Sequence, residues 1–214
     1  MQLEEMGAFF SARADIYDKK QIENIGGPGL YDAAAGYLPG NTSVLLDLGC
    51  GSGLELERVF TRFPNAEVVC IDLSEGLLKL LLDKFPAKKL TVLQADYFEY
   101  SYPDCSFDAV ISAESLHHYF KEKKLSLYEK IHRSLKPSGR FVNADYIARD
   151  EEEVIRTLAE YDQIMRNMGN PPGLYHFDIP LTSETELSLM IKAGFARASM
   201  ERRFGNSAIF TADK

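Results

Sequence analysis

The chain has 214 residues, of which 45% are hydrophobic, and carries a formal net charge of −8. A chain of this length normally forms one domain, and this apolar fraction is enough to fill a sizeable core. The acidic balance argues against a nucleic-acid surface, because the basic clusters are short and interrupted by acids or apolar residues. No apolar run reaches the roughly 20 residues that a membrane-spanning helix needs.

The N-terminus and the cysteines bear on the cellular compartment. The segment MQLEEMGAFF has acids where a signal peptide has a basic region, so we expect no export. Cys50, Cys70 and Cys105 are odd in number, far apart and not in CxxC spacing. We therefore expect reduced thiols in a cytoplasmic protein.

The first 40 residues predict a helical N-terminal arm. A helical pattern runs from Leu3 to about Gln21, and Gly26-Gly27-Pro28-Gly29 then resembles a hinge. Roughly one face of the helix carries three aromatic residues and one cation: Phe9, Phe10, Tyr17 and Arg13. This face could belong to a mobile lid or to a helix packed permanently on the domain.

Short apolar runs then alternate with helical patterns. The expected strands are Val44–Leu48, Val68–Ile71, Leu90–Leu93, Ala109–Ser112 and Arg140–Ala144. Ser74 is a good N-cap for the second helix between them, and Leu127, Ile131 and Leu135 mark the last one. This order predicts βαβ units and a parallel sheet with helices on both faces.

The pattern changes after the fifth expected strand. Asp150 and the three acids behind it suit the start of a long amphipathic helix, which Asn170-Pro171-Pro172-Gly173 ends. We therefore expect a helical insertion at about 150–180 within a domain that spans 41–214. Tyr161, Met165 and Met168 on this helix could line a pocket, although such a stripe is more often simple core.

The last forty residues predict one helix and a hairpin. Ser183 and Glu186 have capping-box spacing for a helix that ends near Gly194. Two strand-like runs, Phe195–Arg203 and Ala208–Thr211, flank a turn and predict an antiparallel hairpin.

The segment LLDLGCGSGLELERVF at 45–60 holds three glycines in a GxGxG pattern between a strand and a helix. Glycines there allow a ligand to approach the backbone, next to the positive end of the helix dipole. A dinucleotide fingerprint, GxGxxG, would need a small residue at Leu54 or Leu56, and neither fits. The loop therefore holds another ligand or only makes a tight turn.

Three acids follow three successive expected strands or close them. Asp47 precedes the glycine loop, where it would repel a pyrophosphate but suit a ligand with an ammonium group. Asp72 could accept hydrogen bonds from ribose hydroxyls. Asp96 stands beside Tyr97 and Phe98, whose flat rings could hold a purine. An amine, a ribose and a purine together describe S-adenosylmethionine better than NAD.

These segments resemble a known family, the class I S-adenosylmethionine-dependent methyltransferases of the small-molecule type. The matching stretches are LLDLGCGSG, VVCIDLS, LQADYFEY, FDAVISAESLHHY and LKPSGRF, in that order over roughly 44–146. The resemblance implies a Rossmann-like α/β fold, with a seven-stranded, mostly parallel sheet and an antiparallel last hairpin. The N-terminal FFSARADIYD also resembles the arm that covers the cofactor in many such enzymes.

The resemblance also implies where the cofactor would lie. It assigns Asp47 and the glycine loop to the methionine moiety, Asp72 to the ribose and Asp96 to the adenine. In chain order, the expected cofactor contacts are Asp47, Gly49, Cys50, Gly51, Gly53, Asp72, Leu73, Asp96, Tyr97 and Ala113. Each has a structural alternative: a solvated acid, a helix cap, or, for Cys50 and Tyr97, a filler or core residue.

The methyl acceptor is expected beyond the fourth strand, at ISAESLHHY. Transfer needs an aligned acceptor and, for an oxygen or nitrogen, possible help from a base, so His117, His118 and Tyr17 are the candidate catalytic residues. Neighbouring histidines on a helix point about 100° apart, so at most one is expected to face the pocket. No third ligand lies nearby in the sequence, and we expect no metal site.

The sequence therefore predicts a methyltransferase that moves a methyl group from S-adenosylmethionine to a small molecule and leaves S-adenosylhomocysteine. A non-catalytic S-adenosylmethionine-binding or regulatory protein, and a tRNA or protein methyltransferase, stay open as alternatives. An NAD-dependent oxidoreductase is disfavoured by Leu54 and Asp47. The sequence indicates neither the acceptor nor the oligomeric state.

Overall fold

A computed structural model describes residues 2–24 and 29–214. Of the expected hinge Gly26-Gly27-Pro28-Gly29, the first three residues lie outside the described residues, and Gly29 begins a helix. Within them the chain forms seven strands: β1 Val44–Leu48, β2 Glu67–Asp72, β3 Lys89–Gln94, β4 Phe107–Ala113, β5 Leu135–Tyr146, β6 Arg197–Phe204 and β7 Ser207–Asp213. The helices are α1 Met6–Ser11, α2 Ala14–Asn24, α3 Gly29–Gly36, α4 Leu54–Arg62, α5 Glu75–Lys84, α6 Lys121–Ser134, α7 Glu151–Asn167 and α8 Ser183–Lys192, with a short 3-10 helix at Leu116–His118.

The strands form one sheet in the order β3-β2-β1-β4-β5-β7-β6. Strands β1 to β5 pair in parallel, whereas β7 runs antiparallel to both β5 and β6. This confirms the predicted α/β fold and its antiparallel last hairpin. The parallel part brings the carboxyl ends of β1, β2 and β4 to one edge, where α/β sheets bind their ligands.

Alternation along the strands produces two apolar layers. Leu45 packs with helices α3, α4 and α5 on one face, while its neighbour Leu46 packs with α6 and α8 on the other. Successive side chains of a strand point to opposite faces, so a wholly apolar run must be covered on both. The helices on both faces that the sequence predicts are therefore present.

Strand β5 is longer than predicted, because Leu135 belongs to it and not to the preceding helix. Leu135 pairs with Phe107, and the regular ladder resumes only at Arg140, opposite Ala109. Pro137 lies in this irregular stretch, where a proline is tolerated because no ladder donor is needed.

Helix starts follow the capping rules with one correction. Ser74 and Asp150 cap α5 and α7 through the backbone N–H groups of Leu77 at 3.2 Å and Glu153 at 2.8 Å, as expected. At α8 the cap is Thr182, and the capping box assigned to Ser183 and Glu186 is wrong. Glu186 is instead buried and bonded to Lys124 and Tyr128.

The arm is two helices, not one, and both lie against the domain. Helices α1 and α2 contact α5. Two backbone hydrogen bonds join the start of the arm to the loop that follows α7. The Met6 N–H donates to the Leu174 carbonyl and the His176 N–H to the Glu4 carbonyl, each at 2.9 Å. None of the helices described here combines the length and the apolar character that crossing a membrane requires.

Candidate active site

The loop between β1 and α4 has the backbone that its glycines predict. Gly49, Gly51 and Gly53 have φ angles of 69°, 48° and 76°, the left-handed region that side chains disfavour. A Cβ on Gly49 would lie 2.0 Å from the hydroxyl oxygen of Ser115, so this glycine also allows a close approach between two loops. Cys50 is buried in the loop, and burial raises the pKa of its thiol well above the ordinary value. A neutral thiol fits the role of a filler residue.

Asp72 ends β2 with both carboxylate oxygens anchored by the backbone. Oδ2 accepts from the Gly51 N–H at 2.9 Å and Oδ1 from the Ser74 N–H at 2.7 Å. Each oxygen keeps a second lone pair, and the side chain is partly exposed. A carboxylate held this way fits a pair of vicinal hydroxyls. Asp72 is thus more than a helix cap, because its carboxylate also holds the glycine loop in place.

Asp47 does not reach the surface of the loop. It is completely buried, and neither of its oxygens has a hydrogen-bond partner among the described residues. Burial and the nearby Glu55 raise the pKa of Asp47 well above its ordinary value. The acid that faces an opening is Glu55, which lines a cavity of about 10 Å³ with Gly49 and Ala113.

Glu55 was not predicted from the sequence. Burial raises its pKa to about 7, and its Oε1 also has no partner among the residues described. Both oxygens of Asp47 and one oxygen of Glu55 are thus buried without a partner beside the glycine loop, an arrangement that suits a cation such as the ammonium group of S-adenosylmethionine. Its burial could have been inferred from the sequence, because Glu55 stands four residues before Val59 and so shares the buried face of α4.

Asp96 and Tyr97 follow β3 and close the same edge of the sheet. Asp96 is partly exposed and accepts from the Phe98 N–H at 2.8 Å. The Tyr97 hydroxyl bonds to Ser115 at 3.0 Å, and its ring lies beside Gly49. Phe98 belongs to the core, with its ring centroid 4.3 Å from that of Tyr119. Of the two rings proposed for stacking, only Tyr97 therefore lines an opening.

These strand ends surround an opening that we call the inner cavity. It measures about 40 Å³ and is bounded by Gly49, Asp72, Leu73, Tyr97 and the arm residues Phe10 and Tyr17. Cavities that hold small ligands typically measure about 300–1,000 Å³. Four of the expected cofactor contacts, Gly49, Asp72, Leu73 and Tyr97, therefore line this small opening under the arm, whereas Asp96 does not line it.

A second opening, the outer cavity, measures about 760 Å³. Five separate parts of the chain form its wall: the arm between Phe9 and Asn24, the residues around the 3-10 helix, Tyr146 at the end of β5, the loop at His176 and Asp178, and the hairpin tip Phe204–Ser207. Its lining does not include Tyr161, Met165 and Met168, for which a pocket wall was the less favoured of two interpretations.

Both histidines of the 3-10 helix line the outer cavity, so the expectation that at most one faces it is wrong. Their ring centroids are 4.0 Å apart. Asp178, sixty residues further along the chain, meets both: its Oδ1 lies 3.5 Å from His117 Nε2 and 3.2 Å from His118 Nδ1. No sequence signal pointed to this contact.

The two histidines have opposite electrostatic environments. Burial lowers the pKa of His117, but the carboxylates of Asp145 and Asp178 outweigh it and raise that pKa to about 10. Burial, together with the neighbouring His117, lowers the pKa of His118. Glu114 stands between the two cavities with an unusual φ of 52°, and burial raises its pKa to about 7.

Comparisons with known proteins bear on the family and the fold. Residues 45–139 match a family model described as a methyltransferase domain. Relatives include 27-O-demethylrifamycin SV methyltransferase of Amycolatopsis mediterranei, 32% identical over 164 residues, which cover 67% of this chain and 58% of that protein. The biotin biosynthesis bifunctional protein BioHC of Teredinibacter turnerae is 35% identical over 106 residues, 45% of this chain and 18% of that protein.

Among solved structures, human N-acetylserotonin methyltransferase in complex with S-adenosylmethionine has a TM-score of 0.62 at 17% identity, over 96% of this chain and 55% of that one. This likeness concerns the fold. The chain spans less than two thirds of the length of each of these three proteins. The matched domain and the relatives together support a class I S-adenosylmethionine-dependent methyltransferase, a family of enzymes whose cofactor is S-adenosylmethionine, and the sheet order agrees with that fold.

Proposed function

We propose that this protein transfers the methyl group of S-adenosylmethionine to a small molecule bound in the outer cavity. One observation carries the proposal: the two cavities share the lining residues Phe10, Tyr17, Glu114 and His118. A group held in the inner cavity would therefore meet a molecule held in the outer cavity across a wall one residue thick.

The residues at the strand ends would hold the cofactor in three parts. Asp72 would receive the ribose hydroxyls, and Asp96 with the Tyr97 ring would receive the adenine. Leu73 and Ala113 would supply apolar contacts. Glu55, with Asp47 behind it, would neutralise the ammonium group next to Gly49, Cys50, Gly51 and Gly53. When bound, S-adenosylmethionine supplies an electrophilic methyl group, which leaves in an in-line displacement.

The walls of the outer cavity favour a small acceptor. Its volume of about 760 Å³ lies in the range of small-molecule sites. Phe9, Phe10 and Phe204 offer apolar surface, and the cavity also carries charged groups of both signs, among them Arg13, Lys20 and Asp178. This combination supports a small molecule with an apolar or aromatic body and polar substituents.

The residues between the cavities would act by positioning and by keeping water out. Holding the acceptor in line with the methyl group can account for much of the rate enhancement of a two-substrate reaction. Burial raises the pKa of Tyr17 above its ordinary value, so its hydroxyl stays protonated and can donate a hydrogen bond. His117 and His118 would contact the acceptor from the opposite wall.

Calorimetry with S-adenosylmethionine, S-adenosylhomocysteine and NAD tests the cofactor assignment. We expect the first two to bind and NAD not to bind. Asp72→Asn should weaken S-adenosylmethionine binding by about 1.5–3 kcal/mol, the range for hydrogen bonds to charged groups. Asp108→Asn is the matched control, because Asp108 also accepts two backbone N–H groups, from Ser43 at 3.0 Å and Val44 at 2.8 Å, but at the other end of the sheet.

The control variant should lose stability and keep its affinity for S-adenosylmethionine. Equal binding of NAD, or unchanged affinity in Asp72→Asn, would overturn the cofactor assignment. Formation of S-adenosylhomocysteine with a panel of small phenols, amines and carboxylic acids then tests catalysis. Tight S-adenosylmethionine binding without turnover on any acceptor would instead favour a non-catalytic binding protein.

A further inference from the structure

We propose that His117, His118 and Asp178 form a binding site for one divalent transition-metal ion on the wall of the outer cavity. One donor atom from each residue lies within 4.8 Å of the other two. Two histidines and one carboxylate are a common ligand set for such ions, and this set leaves coordination positions open.

The two separations from Asp178 suit a bound ion. Zinc lies about 2.0–2.2 Å from histidine nitrogens and carboxylate oxygens, so two ligands of one tetrahedral ion stand about 3.4 Å apart. The measured distances from Asp178 Oδ1 are 3.5 Å to His117 Nε2 and 3.2 Å to His118 Nδ1. The longer of these is too long for a good hydrogen bond between the two groups.

The surroundings hold the three ligands in place. Asp145 Oδ1 lies 2.7 Å from His117 Nδ1, which turns Nε2 of that ring towards Asp178. A carboxylate behind a histidine in this way is the usual support of a metal ligand. The Ile179 N–H donates to the His117 carbonyl at 2.6 Å, so the loop that carries Asp178 is tied to the 3-10 helix.

The alternative is an ion-pair cluster that holds no metal. His118 Nδ1 also lies 3.2 Å from the Phe177 carbonyl, and a proton on this nitrogen would serve both that oxygen and Asp178. A metal ion would have to replace this proton and the one on His117 Nε2, as metal binding to histidine generally does. The two arrangements therefore differ in a measurable way, by the uptake of one ion.

A bound ion would give the outer cavity a defined acceptor site. Its open positions could take an oxygen or nitrogen of the acceptor and lower the pKa of that group, beside His118, which lines both cavities. This consequence, unlike the metal site itself, rests on the proposed function.

The test uses the full chain, freed of metal with a chelator, and titrates it with Zn²⁺ by calorimetry and with Co²⁺ by visible absorption. All variants carry Cys105→Ser, because this exposed thiol could bind metal elsewhere. We expect one equivalent of Zn²⁺ per chain and the absorption of a low-symmetry Co²⁺ site. Asp178→Asn and His118→Ala should each weaken binding by more than the roughly tenfold to hundredfold that loss of a supporting partner costs.

The matched control is His132→Gln, since His132 packs against Phe195, away from the cluster, and should not affect metal binding. Asp178 is 49% exposed, so its substitution should leave the fold intact, which thermal unfolding checks. Absence of stoichiometric binding, or equal affinity in Asp178→Asn and His132→Gln, would overturn the proposal.

S-adenosylmethionine binding by the metal-free protein is measured separately. Failure of that binding would count against the proposed function, and failure of Zn²⁺ binding against the metal site alone.

Discussion

The inner and outer cavities touch each other, yet they are built in different ways. Apart from the arm, the inner cavity is lined by residues between Gly49 and Tyr119, most of which follow the ends of β1, β2, β3 and β4. The outer cavity joins the arm, the 3-10 helix, the loop at Asp178 and the hairpin tip, which are far apart in the chain. The first is therefore a property of local βαβ units, whereas the second exists only after the whole domain has folded.

Removing the arm should have the largest effect of the changes considered, because the arm contributes to both cavities. A chain that starts at residue 25 loses one wall of the outer cavity, including Phe9 and Phe10, and the cover of the inner one. We expect a cooperatively folded domain with weakened S-adenosylmethionine binding and at least about a hundredfold lower turnover, the cost of misplaced reactants. Circular dichroism, calorimetry and a turnover assay measure the three effects.

The control for this deletion is Glu23→Gln, which breaks only an exposed pair with Lys19 and should leave turnover unchanged. Hydrogen exchange in the arm should also slow when S-adenosylhomocysteine is added, as expected of a lid. Slow exchange without ligand that stays unchanged with it would show that the arm is a fixed part of the core.

Gly49→Ala tests how far the inner cavity depends on its backbone. The new Cβ would need the left-handed conformation and would collide with Ser115. Strain and overpacking should together cost about 2–5 kcal/mol of unfolding free energy in urea. Gly169→Ala is the matched control: its φ is 81°, but nothing lies within 4 Å, so only about 1–2 kcal/mol should be lost. Equal losses in the two variants would contradict the close approach of the two loops.

Glu55→Gln should change how the unfolding free energy of the protein depends on pH. The folded-state pKa of Glu55 is about 7, above its ordinary value of 4.5. Between these two values the folded state binds more protons than the unfolded state. The stability that protonated Glu55 contributes is therefore fully present below about pH 4.5 and is lost as the pH rises through 7. At pH 8 the variant should be about 2–3 kcal/mol more stable than the unchanged protein in the absence of ligand, with little difference at pH 4.5.

The same substitution should weaken S-adenosylmethionine binding at pH 8, because the charge opposite the ammonium group is lost. Glu57→Gln, on the exposed side of the same helix turn, should change neither stability nor affinity. A Glu55→Gln variant with unchanged affinity would remove Glu55 from the proposed cofactor site.

The βαβ part of the fold could be predicted because each step is encoded over a few residues. The apolar run, the GxGxG spacing and the acid at the end of the next strand all lie within 45–72, and the structure brings Asp72 to the glycine loop. The position of Glu55 beside the glycine loop was missed because it depends on the phase of α4 against the sheet. That phase follows from tertiary packing of Leu56 and Val59.

The outer cavity escaped prediction for a different reason. The side chains of His117 and His118 would point about 100° apart on a continuous α-helix. The structure instead has a single 3-10 turn with a loop folded over it. Asp178 reaches this turn through the backbone bond from Ile179 to His117, a contact across more than sixty residues. Contacts of this kind leave no periodic trace in a single sequence.

Phe10 and Tyr17 belong to both cavities, since they line the inner cavity and also form part of the outer wall. If the arm is the lid of the proposed methyltransferase, the inner cavity would fill only while the arm is raised, and the outer wall would be complete only once the arm has returned. We therefore expect compulsory-order kinetics, with the cofactor first on and its product last off. The residence time of S-adenosylhomocysteine would then be governed by the lifting of the arm, and product inhibition would be competitive with respect to S-adenosylmethionine.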